Sequence, residues 1–128
     1  MKTINKDFEN LENSYSPYSN FKVSAVLQTK TGELFTGVNI ENASFSACNC
    51  AERTAFFTAI NEGHRSFKSI TIVSSANDYT PPCGVCRQVM VEFCDPEFEI
   101  ILAKSKEDYI VTTLEKLMPM AFEANNME

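Results

Sequence analysis

The residues of this chain best suited to chemistry are three cysteines and one carboxylate: Cys50-Ala51-Glu52-Arg53, and downstream Pro82-Cys83-Gly84-Val85-Cys86-Arg87-Gln88. Three thiolates can hold one zinc ion. A structural zinc site is closed by four protein ligands, whereas a catalytic site keeps three and leaves one position to water or substrate. Glu52, two residues past the first thiol, is placed to take a proton from a water at such a site and return it elsewhere. A C-x-x-C pair alone also reads as a redox dithiol or as half of a structural zinc knot. The Cys-Ala-Glu run upstream shifts the weight toward a hydrolytic centre.

Three thiolates outweigh the charge of the metal and blunt its Lewis acidity, so compensating positive charge belongs nearby. Each helix N-terminus supplies about half a positive charge. Arg53, three residues after Cys50 and so on the same helical face, can donate to a ligand sulfur. The alternative for Arg53 is an ordinary solvated side chain.

Periodicity supplies the elements that must position these groups. Thr3 can cap a helix carrying Ile4, Phe8, Leu11 and Tyr15 on one face, ended by Pro17. Phe21 to Thr29 and Glu33 to Val38 read as strands joined by Lys30-Thr31-Gly32. A helix runs from Cys50 to Asn61 and closes at Gly63, and a strand covers Ser69 to Ser75. Pro82 suits the first turn of a helix from Cys83 to Phe93. Phe98 to Ala103 and Tyr109 to Thr112 are strands, and Thr112 with Glu115 forms a capping box for a short last helix. The order α, β, β, α, β, α, β, β, α, with no repeat or linker, predicts one α/β layered domain over residues 1–128.

Composition narrows the function classes. The chain has 128 residues, a net charge of −6 and no basic track, which argues against a polynucleotide partner. No apolar run is long enough to span a bilayer and the first residues lack a signal peptide's apolar core, so a soluble cytoplasmic protein is expected. Five cysteines, an odd number, suit reduced thiols serving a metal better than a disulfide framework. With 44% hydrophobic residues, including ten Phe, apolar surface is available for self-association.

Cys50-Ala51-Glu52 with Pro82-Cys83-x-x-Cys86 resembles the zinc-dependent nucleoside deaminases, whose general signature and chemistry are those of a glutamate beside a three-ligand zinc. The likeness is to cytidine deaminases of the small homotetrameric class. It extends through Ser16-Pro17-Tyr18-Ser19-Asn20-Phe21-Lys22-Val23, Asn39-Ile40-Glu41-Asn42-Ala43-Ser44, Cys48-Asn49-Cys50-Ala51-Glu52-Arg53-Thr54-Ala55 and Leu117-Met118-Pro119-Met120-Ala121-Phe122. It implies a three-layer α-β-α fold around a mixed five-stranded sheet. It further implies one zinc per subunit on Cys50, Cys83 and Cys86, with Glu52 as proton shuttle and Arg53 supporting the ligands. The reaction implied is hydrolysis of cytidine and 2′-deoxycytidine to uridine, 2′-deoxyuridine and ammonia in pyrimidine salvage.

Carried over by position, the resemblance assigns Asn39 and Glu41 to the ribose 3′-hydroxyl and Phe21 to the face of the pyrimidine. It assigns the Ala51 N–H to the base carbonyl, the Pro81 carbonyl to the leaving amine, and Phe122 to the base pocket of a neighbouring subunit in a homotetramer with shared active sites. Three positions depart from the common pattern: Phe45 where Tyr is frequent, Pro81 where Ser is common, and Ser24 in place of Gly. Cys48 and Cys94 are expected to be idle or buried thiols, and His64 a surface residue. Two other readings stand beside this one. The first is a deaminase of a modified or antibiotic cytosine nucleoside; the second is a non-enzymatic zinc module closed by Cys48 or Cys94.

Overall fold

The central strand of the sheet, Phe67–Ser74, is buried along almost its whole length, because helices cover both of its faces. The computed structural model describes residues 1–124. Its helices are α1 Lys2–Asn10, α2 Ala51–Asn61, α3 Gly84–Phe93 and α4 Leu114–Leu117. Its strands are β1 Val23–Thr29, β2 Leu34–Val38, β3 Phe67–Ser74, β4 Glu99–Ala103 and β5 Tyr109–Thr113. The sheet order is β2-β1-β3-β4-β5. Only β3 and β4 are parallel, and the connection between them is the long one that contains α3. The other neighbouring pairs are antiparallel. The mixed five-stranded sheet expected from the resemblance is therefore the one observed.

Alternation along the strands divides the core in two. On one face Val73, Ile101 and Ala103 meet Ile4 of α1, with Phe8 and Leu11 packed alongside. On the other, Ala25, Leu27, Ile70, Ile72, Ile100 and Leu102 meet Ala55 and Phe56 of α2, Met90 of α3 and Leu114 of α4. Gly37 of β2 lets α2 approach the sheet closely. A Cβ placed there would lie 2.4 Å from the Ala51 carbonyl oxygen and 2.4 Å from the Ala55 nitrogen.

Several boundaries differ from the periodicity reading. α1 stops at Asn10 and a 3₁₀ turn follows over Leu11–Asn13, so Tyr15 leaves the helix and instead bridges to Ile40. Thr3 lies inside α1 rather than capping it, and its hydroxyl accepts from Thr71 across the helix–sheet contact at 3.0 Å. β1 starts at Val23, because the Asn39 carboxamide occupies the backbone of Phe21 and Val23 in place of a ladder. Pro82 precedes the N-cap Cys83 of α3, and α4 begins after Thr113 with no side-chain cap, so Thr112 and Glu115 form no capping box. Among the described residues no helix is long and apolar enough to cross a membrane.

Candidate active site

Helices α2 and α3 deliver their N-termini to one point. Cys50 is the N-cap of α2 and Cys83 the N-cap of α3, both in extended backbone, and Cys86 follows in the first turn of α3. Both helices start cleanly there: Thr54 N–H donates to the Cys50 carbonyl at 3.0 Å and Arg87 N–H to the Cys83 carbonyl at 2.9 Å. Sulfur at a helix N-terminus sits in the positive end of the macrodipole, which favours thiolate.

The Cys50 and Cys83 sulfurs are 3.7 Å apart and those of Cys83 and Cys86 3.4 Å. All three lie within 4.8 Å of one another. Zinc–sulfur bonds of about 2.3 Å at the tetrahedral angle place two sulfurs about 3.8 Å apart. The donor set therefore fits one zinc ion, by chemistry and by spacing, and leaves the fourth tetrahedral position without a protein ligand among these three. Arg53 Nη2 donates to Cys50 Sγ at 3.3 Å. Hydrogen bonding from Cys86, followed by Arg53 and Cys83, pulls the Cys50 thiol down to about 5. The Cys86 thiol is held in the opposite sense, raised by its bond to Cys50 and by burial.

Glu52 is only 5% exposed, on the first turn of α2 behind Cys50. Burial, with the negative charge of Cys50 adding to it, pushes its carboxyl up to about 7. A carboxyl balanced near neutrality can both accept and return a proton.

A cavity of about 390 Å³ opens beside the cluster, lined in part by Asn39, Glu41, Phe45, Cys48, Cys50 and Arg53. Asn39 and Glu41 come from the segment after β2, and both are already engaged in shaping the wall. Asn39 Oδ1 accepts from Val23 N–H at 2.9 Å and from the Ser14 hydroxyl, while its Nδ2 donates to the Phe21 carbonyl at 2.7 Å. Glu41 Oε1 accepts from the Tyr18 and Ser19 N–H groups at 3.0 and 3.1 Å, and Oε2 accepts from the Ser19 hydroxyl. These bonds, that of the Ser19 hydroxyl foremost, hold the Glu41 carboxyl below its ordinary value.

Phe21, Ala51, Pro81 and Phe122 are not among the cavity's lining residues. Phe21 is 38% exposed just ahead of β1, and Phe122 is 59% exposed with its carbonyl held by Gln88 Nε2 at 2.7 Å. Ala51 is the first residue of α2, so its N–H is one of those the helix leaves without an internal partner.

The remaining thiols stay outside the cluster. Cys48 Sγ accepts from Asn42 N–H at 3.2 Å, and Cys94 caps the far end of α3, about 12 Å of helix rise from Cys86. Neither closes a four-cysteine site. His64 is not a free surface residue: its ring lies 5.0 Å from that of Phe35 and its Nε2 is 3.2 Å from Glu33 Oε2.

Sequence reasoning assigned no role to the hydroxyls that set the wall: Ser14 falls within the stretch expected to be helical, and the signal for Ser19 was its place in the Ser16–Val23 block. Phe45 was noted as a departure, and the structure puts it 80% exposed at the cavity mouth.

A mixed sheet with two helix N-termini converging on three thiols and a buried carboxylate defines a zinc-dependent hydrolytic enzyme of the α/β class. Residues 2–102 match the family model for the cytidine and deoxycytidylate deaminase zinc-binding region. The chain is 45% identical over 116 residues to cytidine deaminase of Sporosarcina psychrophila, an alignment spanning 91% of this chain and 85% of that protein. It is likewise 45% identical over 116 residues to cytidine deaminase of Halalkalibacterium halodurans, spanning 91% and 88%. The crystal structure of cytidine deaminase from Burkholderia pseudomallei superposes with a TM-score of 0.89 at 45% identity, covering 94% of this chain and 97% of that one. The chain belongs to the cytidine deaminase family.

Proposed function

We propose that this chain, as one deaminase domain, converts cytidine and 2′-deoxycytidine with water to uridine, 2′-deoxyuridine and ammonia. The observation that carries the reading is Glu52, buried two residues beyond Cys50, beside a thiol trio spaced for one metal and joined by no fourth cysteine among the described residues. Cys50, Cys83 and Cys86 hold the zinc, which when bound supplies Lewis acidity toward the attacking water.

Glu52 takes a proton from that water as its oxygen bonds to the amine-bearing ring carbon, and delivers it to the adjacent ring nitrogen. The carbon–nitrogen bond to the exocyclic amine then breaks, with Glu52 relaying the proton that lets the amine leave as ammonia. Arg53 holds Cys50 through its sulfur and offsets the negative charge of the trio.

Glu41 and Asn39 receive the ribose 3′-hydroxyl, which enters a network already fixed by Ser19 and Ser14. Phe21 stacks on the base, the Ala51 N–H binds the base carbonyl, and the Pro81 carbonyl faces the departing amine. Phe122 completes the pocket of a neighbouring copy. That arrangement requires a homo-oligomer, and the large exposed side chains of Phe45, Phe57 and Phe122 support a homotetramer. An odd number of cysteines, three of them gathered where one metal fits, supports a reducing cytoplasmic setting.

The test is purified zinc-loaded protein with cytidine, followed by loss of the cytosine absorbance and by ammonia release, with light scattering on the same sample. Turnover by a tetramer is expected. A zinc-loaded protein that leaves cytidine untouched contradicts the reaction, and an active monomer contradicts the shared pocket.

A further inference from the structure

Two side chains immediately after the third thiol bond to backbone outside their own helix. Arg87 Nε donates to the Pro82 carbonyl at 2.8 Å and its Nη1 donates to the Leu117 carbonyl at 2.8 Å. Gln88 Nε2 donates to the Phe122 carbonyl at 2.7 Å. One guanidinium thus spans the turn that presents Cys83 and the end of α4, and the next residue holds the chain five positions farther on. Between those two anchors Met118 packs against the core, but Pro119 is exposed and Met120 has φ +53 and a fully exposed side chain, so the stretch beyond Met118 has little packing of its own. Leu117 and Phe122 are held at their carbonyls, a hold that does not depend on the side chains at those positions.

We propose that Arg87 and Gln88 are positioning residues that tie the C-terminal segment to the metal-ligand turn, Arg87 steadying Cys83 through Pro82 and both fixing where Phe122 is presented. The consequence for Phe122 rests on the substrate reading above. The tie to the ligand turn does not. A guanidinium with one donor on each anchor cannot be replaced by lysine, whose single ammonium reaches one carbonyl or the other. Disturbing Arg87 therefore loosens two places at once, whereas disturbing Gln88 loosens only the distal one.

The experiment compares wild-type holoenzyme with Arg87→Lys and Gln88→Met, well below their unfolding temperatures. Three readouts are followed: the rate at which a chelator withdraws zinc, the rate at which a lysine-specific protease cuts after exposed Lys116, and kcat and KM for cytidine. Arg87→Lys is expected to speed both zinc loss and cleavage by roughly tenfold, the effect of one charged hydrogen bond, and to raise KM more than it lowers kcat. Gln88→Met is expected to raise KM with zinc loss within twofold of wild type. Zinc loss and cleavage both within twofold of wild type for Arg87→Lys overturn the proposal. A lowered melting temperature with none of the three readouts moved also overturns it, because that is the signature of a merely structural pair. Faster zinc loss and cleavage by Arg87→Lys with KM unchanged in both variants uphold the tie and remove Phe122 from the pocket instead.

Discussion

Gly37→Ala tests how tightly the helix that carries Glu52 is seated. A methyl group at position 37 would stand 2.4 Å from the Ala51 carbonyl oxygen, 2.4 Å from the Ala55 nitrogen and 3.0 Å from the Ala55 Cα. Ordinary contact begins near 3.4 Å, so α2 must retreat by about 1 Å or β2 must bow away from it. Neither is easy. The obstructing atoms are backbone, β2 is hydrogen-bonded to β1, and the Gly37 carbonyl accepts from Ser24 Oγ at 3.3 Å on the other side. Overpacking of this kind costs about 1–3 kcal/mol, and more where backbone cannot yield. For a chain of this length that lowers the melting temperature by about 4 °C per kcal/mol. The same displacement acts on Cys50 and Glu52 at the start of α2, and a misplacement of about 1 Å at a reacting centre costs on the order of 10²-fold in rate. Thermal unfolding and steady-state deamination of cytidine, measured on one preparation, supply the two numbers. A variant with unchanged melting temperature and unchanged kcat refutes the close seating of α2 and the argument built on it.

Other outcomes follow from single residues. Asp7 lies on α1 at 0% exposure with neither carboxylate oxygen hydrogen-bonded, since the Ser24 hydroxyl donates to the Gly37 carbonyl, and burial raises its pKa well above the usual carboxylate range, with Glu52 across the sheet adding to the rise. Its folded pKa exceeds its unfolded value of about 4, so the unfolded chain releases this proton first and stability falls as pH rises above that value. Asp7→Asn should flatten that decline in denaturant titrations between acid and mildly alkaline pH, and a slope identical to wild type removes Asp7 as its source. Glu41→Gln keeps acceptors for the Tyr18 and Ser19 N–H groups but loses charge, and kcat/KM for cytidine should fall roughly tenfold with zinc content intact. An unchanged kcat/KM removes Glu41 from the substrate site.

The strand and helix order was legible because β1, β3 and β4 carry dense apolar runs and because turn residues separate the elements. The thiols and Glu52 were legible too, since their spacing places them at two helix starts. What could not be read was tertiary. Asp7 falls on the buried stripe of α1 between Ile4 and Leu11, where a charged residue type argues for the surface and burial is decided by the sheet beneath. Gly37 looks like an ordinary strand glycine until α2 arrives against it. The start of β1 shifted because an asparagine from the segment after β2 took over the Phe21 and Val23 backbone. Arg87 and Gln88 bond to carbonyls, which leave no mark in the sequence. Pro17 implied a single helix end, but α1 gave way earlier, at the 3₁₀ turn that lets Tyr15 pair with Ile40.

The central claim is that one buried carboxylate moves the protons of the reaction while three thiols hold the metal. Glu52→Gln measures it most directly, with zinc content and cytidine turnover determined on the same sample. The account predicts a full complement of zinc with turnover reduced by about 10²–10⁴-fold, the contribution of a positioned general acid and base. Zinc retained with turnover close to that of wild type would contradict it.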